Sequence, residues 1–151
     1  MVFHYDDQNE DSEDYLTIEY NDDGAVDFIF NDDESEQSPF CRFVRLDLLL
    51  EWLDQKAMLT FKRGGLSNWY SIDDLSSESN ENDLKDSISL HVANGLMTLE
   101  FHSPDFEVVD EIPFIRLNKT QVESMISDLH QILEPLEKFY RKTFTIKGGR
   151  C

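Results

Sequence analysis

The dipeptide Asn94-Gly95 constrains the fold of this chain more than any other pair of residues. An Asn-Gly step suits a two-residue type I′ turn, whose twist matches that of the strands it joins. Its flanks, SISLHVA and LMTLEFHS, alternate apolar and polar residues, so the turn fixes a register. Counting outward pairs Ala93 with Leu96, Val92 with Met97, His91 with Thr98, Leu90 with Leu99, Ser89 with Glu100 and Ile88 with Phe101. One face then carries Ile88, Leu90, Val92, Met97, Leu99 and Phe101. The other carries Ser87, Ser89, His91, Thr98, Glu100 and His102, a polar surface open to water or to a ligand.

A second hairpin follows from the same argument. Leu16, Ile18 and Tyr20 alternate before Asp22-Asp23-Gly24, and Val26, Phe28 and Phe30 alternate after it. A three-residue loop with Gly24 in the left-handed region pairs Tyr20 with Val26, Ile18 with Phe28 and Leu16 with Phe30, which puts all six on one face. Thr17, Glu19, Asp27 and Ile29 take the other. The acids invite a calcium-loop reading, with Glu19, Asn21 and Asp23 as the first three ligands and Gly24 at the sharp turn. The twelfth position, which needs a bidentate Glu, is then Phe30, and the flanks are strands where the motif needs helices.

Between and after the hairpins, the pattern predicts a strand over Phe40–Leu46, a short helix over 47–56 with Asp47 as its cap, and strands at Met58–Arg63 and Asn68–Ile72. Asp74–Asp86 is rich in Ser, Asn and acids and reads as a loop. Glu107–Leu117 reads as a strand interrupted at Pro113. The longest helix is expected over about 119–134, capped by Asn118 or Thr120, with Thr120 to Glu123 fitting a capping box. Val122, Met125, Ile126, Leu129, Ile132, Leu133 and Leu136 give it a core-facing stripe, and Pro135 is expected to end or kink it. The fold class implied is α+β, with antiparallel sheets built from hairpins and two helices. The division implied is a mobile acidic arm over 1–14, one α+β domain over 15–146 and a flexible tail over 147–151.

One internal echo bears on topology. FVRLD, residues 43–47, and FIRLN, residues 114–118, share an order of side chains, and each precedes a predicted helix. A duplicated strands-then-helix layout of this kind resembles the Whirly-type group of single-strand-binding domains, which would imply nucleic acid as a ligand.

Charge opposes that implication. The chain has 151 residues and a formal net charge of −19. Residues 1–41 hold fourteen Asp and Glu and no Lys or Arg, whereas residues 138–150 hold five Lys and Arg and no acid. Duplex DNA carries a charge about every 1.7 Å of axis and repels such a surface, so direct nucleic-acid binding is disfavoured. Eleven Phe, five Tyr and two Trp are too many aromatics for a disordered acidic chain, so the acids decorate a core. The start, MVFHYDD, has neither the basic nor the apolar region of a signal peptide, no apolar run is long enough to span a bilayer, and a soluble, cytoplasmic protein is expected. Cys41 and Cys151 suit that compartment as one buried and one terminal thiol.

No reaction motif stands out. HExxH, paired CxxC, GxSxG and a glycine-rich phosphate loop are all missing. His91 and His102 share a hairpin face, yet their ladder positions put them on the order of 13 Å apart. His4 falls in the acidic arm and His130 on the long helix. A general acid needs a pKa raised by burial or a close like charge, and the many carboxylates lie in polar runs where water solvates them. The reading is non-enzymatic, with no cofactor and no metal.

What remains is a negative surface for a positive partner. Acidic arrays on a rigid sheet accelerate encounter with basic surfaces and discriminate among them. In general character the chain resembles immunity proteins that neutralise nuclease toxins, and phage-encoded nucleic-acid mimics. The expected partner is a basic protein such as a nuclease, toxin or other nucleic-acid-binding enzyme, with no membrane. The candidate contact residues are Glu19, Asp22, Asp23, Asp27, Asp32, Asp33, Glu34, Glu36, Glu100 and Asp105. The alternative is an accessory or scaffold subunit of a larger assembly, its acidity serving solubility alone.

Overall fold

The computed structural model describes residues 1–31, 40–43, 45–73, 87–102 and 112–148. Strands β1 (Val2–Asp6), β2 (Tyr15–Tyr20), β3 (Val26–Asn31) and β4 (Phe40–Phe43) form one antiparallel sheet in sequence order. Strands β5 (Tyr70–Asp73), β6 (Ser87–Ala93), β7 (Leu96–His102) and β8 (Phe114–Asn118) form a second, again in sequence order. A helical segment follows each sheet, so the strands-then-helix layout occurs twice in an α+β fold.

Both hairpin registers are those that the alternation predicts. Tyr20 faces Val26, Ile18 faces Phe28 and Leu16 faces Phe30. In the second sheet Ala93 faces Leu96 and Ile88 faces Phe101, around Asn94 and Gly95 at φ 54° and 77°. The inward residues of both sheets belong to one core, and Phe30 meets Phe101 across it at 5.9 Å between ring centroids. A fully buried Val, Leu, Ile, Phe or Met stabilises by about 1.5–3 kcal/mol, so this shared layer is the main source of cohesion.

The N-terminus departs from expectation. Within residues 1–14, expected as an arm, Val2–Asp6 is a strand that pairs with β2 along its whole length, Val2 facing Glu19 and Asp6 facing Tyr15. The alternation of Phe3 and Tyr5 explains it, since both point to the core and Tyr5 is buried, its hydroxyl donating to Asp128 Oδ2 at 2.6 Å. The acids that argued for an arm are concentrated in the connection after β1. There the Asp7 N–H donates to the Asp14 carbonyl, and Gln8 N–H to the carbonyl of Arg116 in β8 at 2.8 Å. β1 thus ties the edge of one sheet to the edge of the other.

The first helical stretch is longer than predicted. Helix α1 (Leu46–Trp52), a π-helical segment (Leu53–Ala57) and α2 (Met58–Arg63) join without leaving helical dihedrals. Met58–Arg63 is therefore helix and not strand. Neither Gly nor Pro intervenes between Phe40 and Arg63, and Leu46, Leu49, Leu50, Leu53 and Ala57 bury one helical stripe. Gly64, at φ 73°, ends it. Asp47 lies in the first turn and not at the cap, which is Arg45. The Arg45 guanidinium donates to both Asp47 oxygens at 3.1 Å and holds that carboxyl below the usual range.

Helix α3 (Lys119–Gly148) is capped by Asn118, two residues before the Thr120 box. Asn118 Oδ1 accepts from the Gln121 N–H, and Gln121 Oε1 accepts from the Asn118 N–H, both at 2.9 Å. Val122, Met125, Leu129, Ile132 and Leu136 are buried as the spacing predicts. Pro135 does not end the helix, which continues to Gly148. Among the described residues, no helix is long and apolar enough to cross a membrane.

Candidate functional site

The acids of the first sheet gather on its outer face. The ladder sets Val2, Glu19, Asp27 and Arg42 in one row across β1 to β4. Glu19 and Asp27 are thus direct cross-strand neighbours, an arrangement of like charges that costs stability unless something offsets it. Arg42 supplies the offset. Its guanidinium pairs with Asp27 at 3.0 Å and, at closer range, with Asp23 from the β2–β3 loop. Three carboxylates therefore crowd one cation, and Asp22 stands exposed beside them.

The titration of Asp27 follows first from its burial and then from these neighbouring charges. Burial raises its pKa most, Asp23 and Glu19 push it further up, and Arg42 pulls it down, with a net upward direction. The charge is held at fixed positions on a β surface rather than spread over a mobile chain. In this loop Asp22 has φ 62° and Gly24 has φ 84°, and the Asp23 side chain accepts from the Ala25 N–H.

The other candidates divide. Asp32, Asp33, Glu34, Glu36 and Asp105 lie outside the described residues. Glu100 belongs to the second sheet, in the row Ser71, Ser89, Glu100 and Phe114, where His102 lies 3.1 Å from it. It is therefore not part of the cluster around Arg42. The residue that the charge count alone missed is Arg42 itself. Its signal was its place as the first basic residue after the acidic run.

The outer face of the second sheet has a different character. Trp69 stacks on His91 at 3.9 Å between centroids, and Arg116 lies over the Phe114 ring at 5.1 Å. The hydroxyls of Ser71 and Ser89 are 2.9 Å apart. Leu66, Trp69 and Phe114 are exposed on this side. His91 faces Thr98 and His102 faces Ser87, which keeps the two imidazoles apart along the ladder. Among the described residues no group of three or more His, Cys, Asp or Glu is placed to hold a metal ion.

Comparison with protein-family models, with curated proteins and with solved structures finds no match.

Proposed function

We propose that this protein docks a basic protein on the outer face of its first sheet and, by covering that partner's positive surface, blocks its access to nucleic acid. The observation that supports the reading is the surplus of fixed carboxylates around Arg42: Glu19, Asp22, Asp23 and Asp27 against one guanidinium. Arg42 neutralises part of the array and fixes its shape. Glu19 and Asp22 are the charges left to face outward. A rigid surplus of this kind raises the encounter rate with a cationic surface and penalises acidic competitors.

The test is capture at low and high salt followed by an activity assay. The reading expects one basic protein to be retained at low salt, with nucleic-acid binding or cleavage suppressed on addition of an equal amount of this chain. A captured protein that keeps full activity in the complex would contradict it.

A second reading, an accessory subunit of a larger assembly, is favoured by the exposed Leu66, Trp69 and Phe114 on the opposite sheet. Contact through that face would be insensitive to salt and to the acids of the first sheet, which separates the two readings in the same experiment.

A further inference from the structure

The β2–β3 loop is covered by the far end of α3. Gly24 and Ala25 are buried although they belong to a tight turn between two charged residues and a strand. A Cβ built on Gly24 would lie 2.3 Å from Phe139 Cε1 and 2.8 Å from Cδ1, so the ring sits against the bare Cα. The next residue, Tyr140, donates its hydroxyl to the Gly24 carbonyl, and its ring meets Phe139 edge-on. Two consecutive α3 side chains thus grip one glycine more than a hundred residues away in sequence.

The helix itself makes this grip informative. Pro135 has no N–H to give to residue 131, which weakens α3 at that turn. Among the residues of α3 whose burial is described, the last buried one is Leu136. Beyond it, Phe139 and Tyr140 dock the following turn on the loop. The proline is a natural point of flexure, and the grip on Gly24 determines where the turns beyond it lie. In sequence, residues 138–150 hold five Lys and Arg and no acid, and the loop opens with Asp22 and Asp23, while on the helix itself Lys138 and Arg141 lie near Glu134 and Glu137, one turn back. Burial and the charge of the Asp23 carboxylate both push the Tyr140 phenol up. The Tyr20 hydroxyl, buried beneath the same loop, is pushed up by burial and by the charges of Asp22 and Asp23, against a backbone hydrogen bond at Gly24 that pulls it down.

We propose that Phe139 and Tyr140 are positioning residues for the acidic docking surface, and that the distal turns of α3 clamp the β2–β3 loop in the conformation that presents Asp22 and Asp23. The proposal rests on the docking reading above for its function, while its mechanical part stands alone. Undocking of these turns would release the loop, so the state of the helix end regulates the site.

Amide hydrogen exchange on the full chain tests the clamp. Tyr140→Phe removes one hydroxyl and keeps the ring. The Gly24 and Ala25 amides should then exchange about tenfold faster, the loss of a single hydrogen bond, while the amides from Val92 to Thr98 keep their rates. Unchanged exchange in the loop overturns the clamp, and so does equal acceleration in both hairpins, which is the mark of general destabilisation. Phe139→Leu, which keeps an apolar side chain, should give the same local pattern.

A hexa-arginine peptide followed by backbone shifts then tests presentation. The unaltered protein should show shifts at Glu19 and Asp22, and Tyr140→Phe should bind about threefold or more weakly with its charge unchanged. Equal binding overturns the positioning role. If the unaltered protein fails to bind the peptide, the docking reading and the functional half of the proposal fall together, and the exchange result still decides the mechanical half.

Discussion

Replacing Gly24 by alanine should cost far more than the same change at Gly95, and the difference isolates the packing of α3 on the loop. Both glycines have positive φ, 84° and 77°. An L-residue in the left-handed region costs roughly 1–2 kcal/mol, of which about 0.4–1 kcal/mol is returned by the stiffer unfolded chain. At Gly95 nothing among the described residues lies within 4 Å of the new Cβ, so its cost should stay at about 1 kcal/mol. At Gly24 the Cβ meets the Phe139 ring at 2.3 Å, and relieving that overlap displaces the ring and its neighbour Tyr140. Overpacking of this kind adds about 1–3 kcal/mol, for a total of about 2–4 kcal/mol. Urea unfolding of both variants measures it, provided the dependence on urea is unchanged. If Gly24→Ala is no worse than Gly95→Ala, the ring does not pack on the loop and the clamp is wrong.

Two further outcomes are expected. Tyr5→Phe removes the hydroxyl that ties β1 to Asp128 of α3, and should cost about 1–3 kcal/mol because the acceptor is a partly buried carboxylate; unfolding that matches the unaltered protein would show that β1 is held by pairing alone. Asp27 should take up its proton above the usual carboxylate range, chiefly because of burial, and Arg42→Gln should move the midpoint higher still. A raised pKa means that the folded state binds this proton first, so as pH falls through the folded value toward the ordinary one, the Asp27 contribution rises in favour of folding. Carbon-detected titration of the Asp27 carboxyl reads this directly, and a midpoint below the ordinary value would contradict the crowding.

The hairpins were legible because a period of two, joined to Asn94-Gly95 or to Asp22-Asp23-Gly24, leaves one register that buries every apolar residue. The α3 stripe was legible for the same reason at helical spacing. Where the reading failed, a local rule was outvoted. The acids of residues 6–14 suggested repulsion and an arm, yet Phe3 and Tyr5 were enough to pair β1, since the charges lie in a turn that water solvates. Met58–Arg63 has strand-like composition but no breaker separates it from the helix before it. Pro135 weakens a helix that packing on both of its sides still holds. The site was legible as charge and not as shape: no sequence rule places Arg42 opposite Asp27, or Phe139 beneath Gly24, because both contacts are set by the sheet and helix assembling together.

The association rate of the captured basic partner with charge variants tests the account most directly. Glu19→Gln combined with Asp22→Asn removes two outward charges, and Arg42→Gln removes the cation that pairs with Asp23 and Asp27. The account predicts association roughly tenfold slower for the first and faster for the second, with both differences shrinking as salt rises. Rates that are the same for all three proteins at low salt would contradict it.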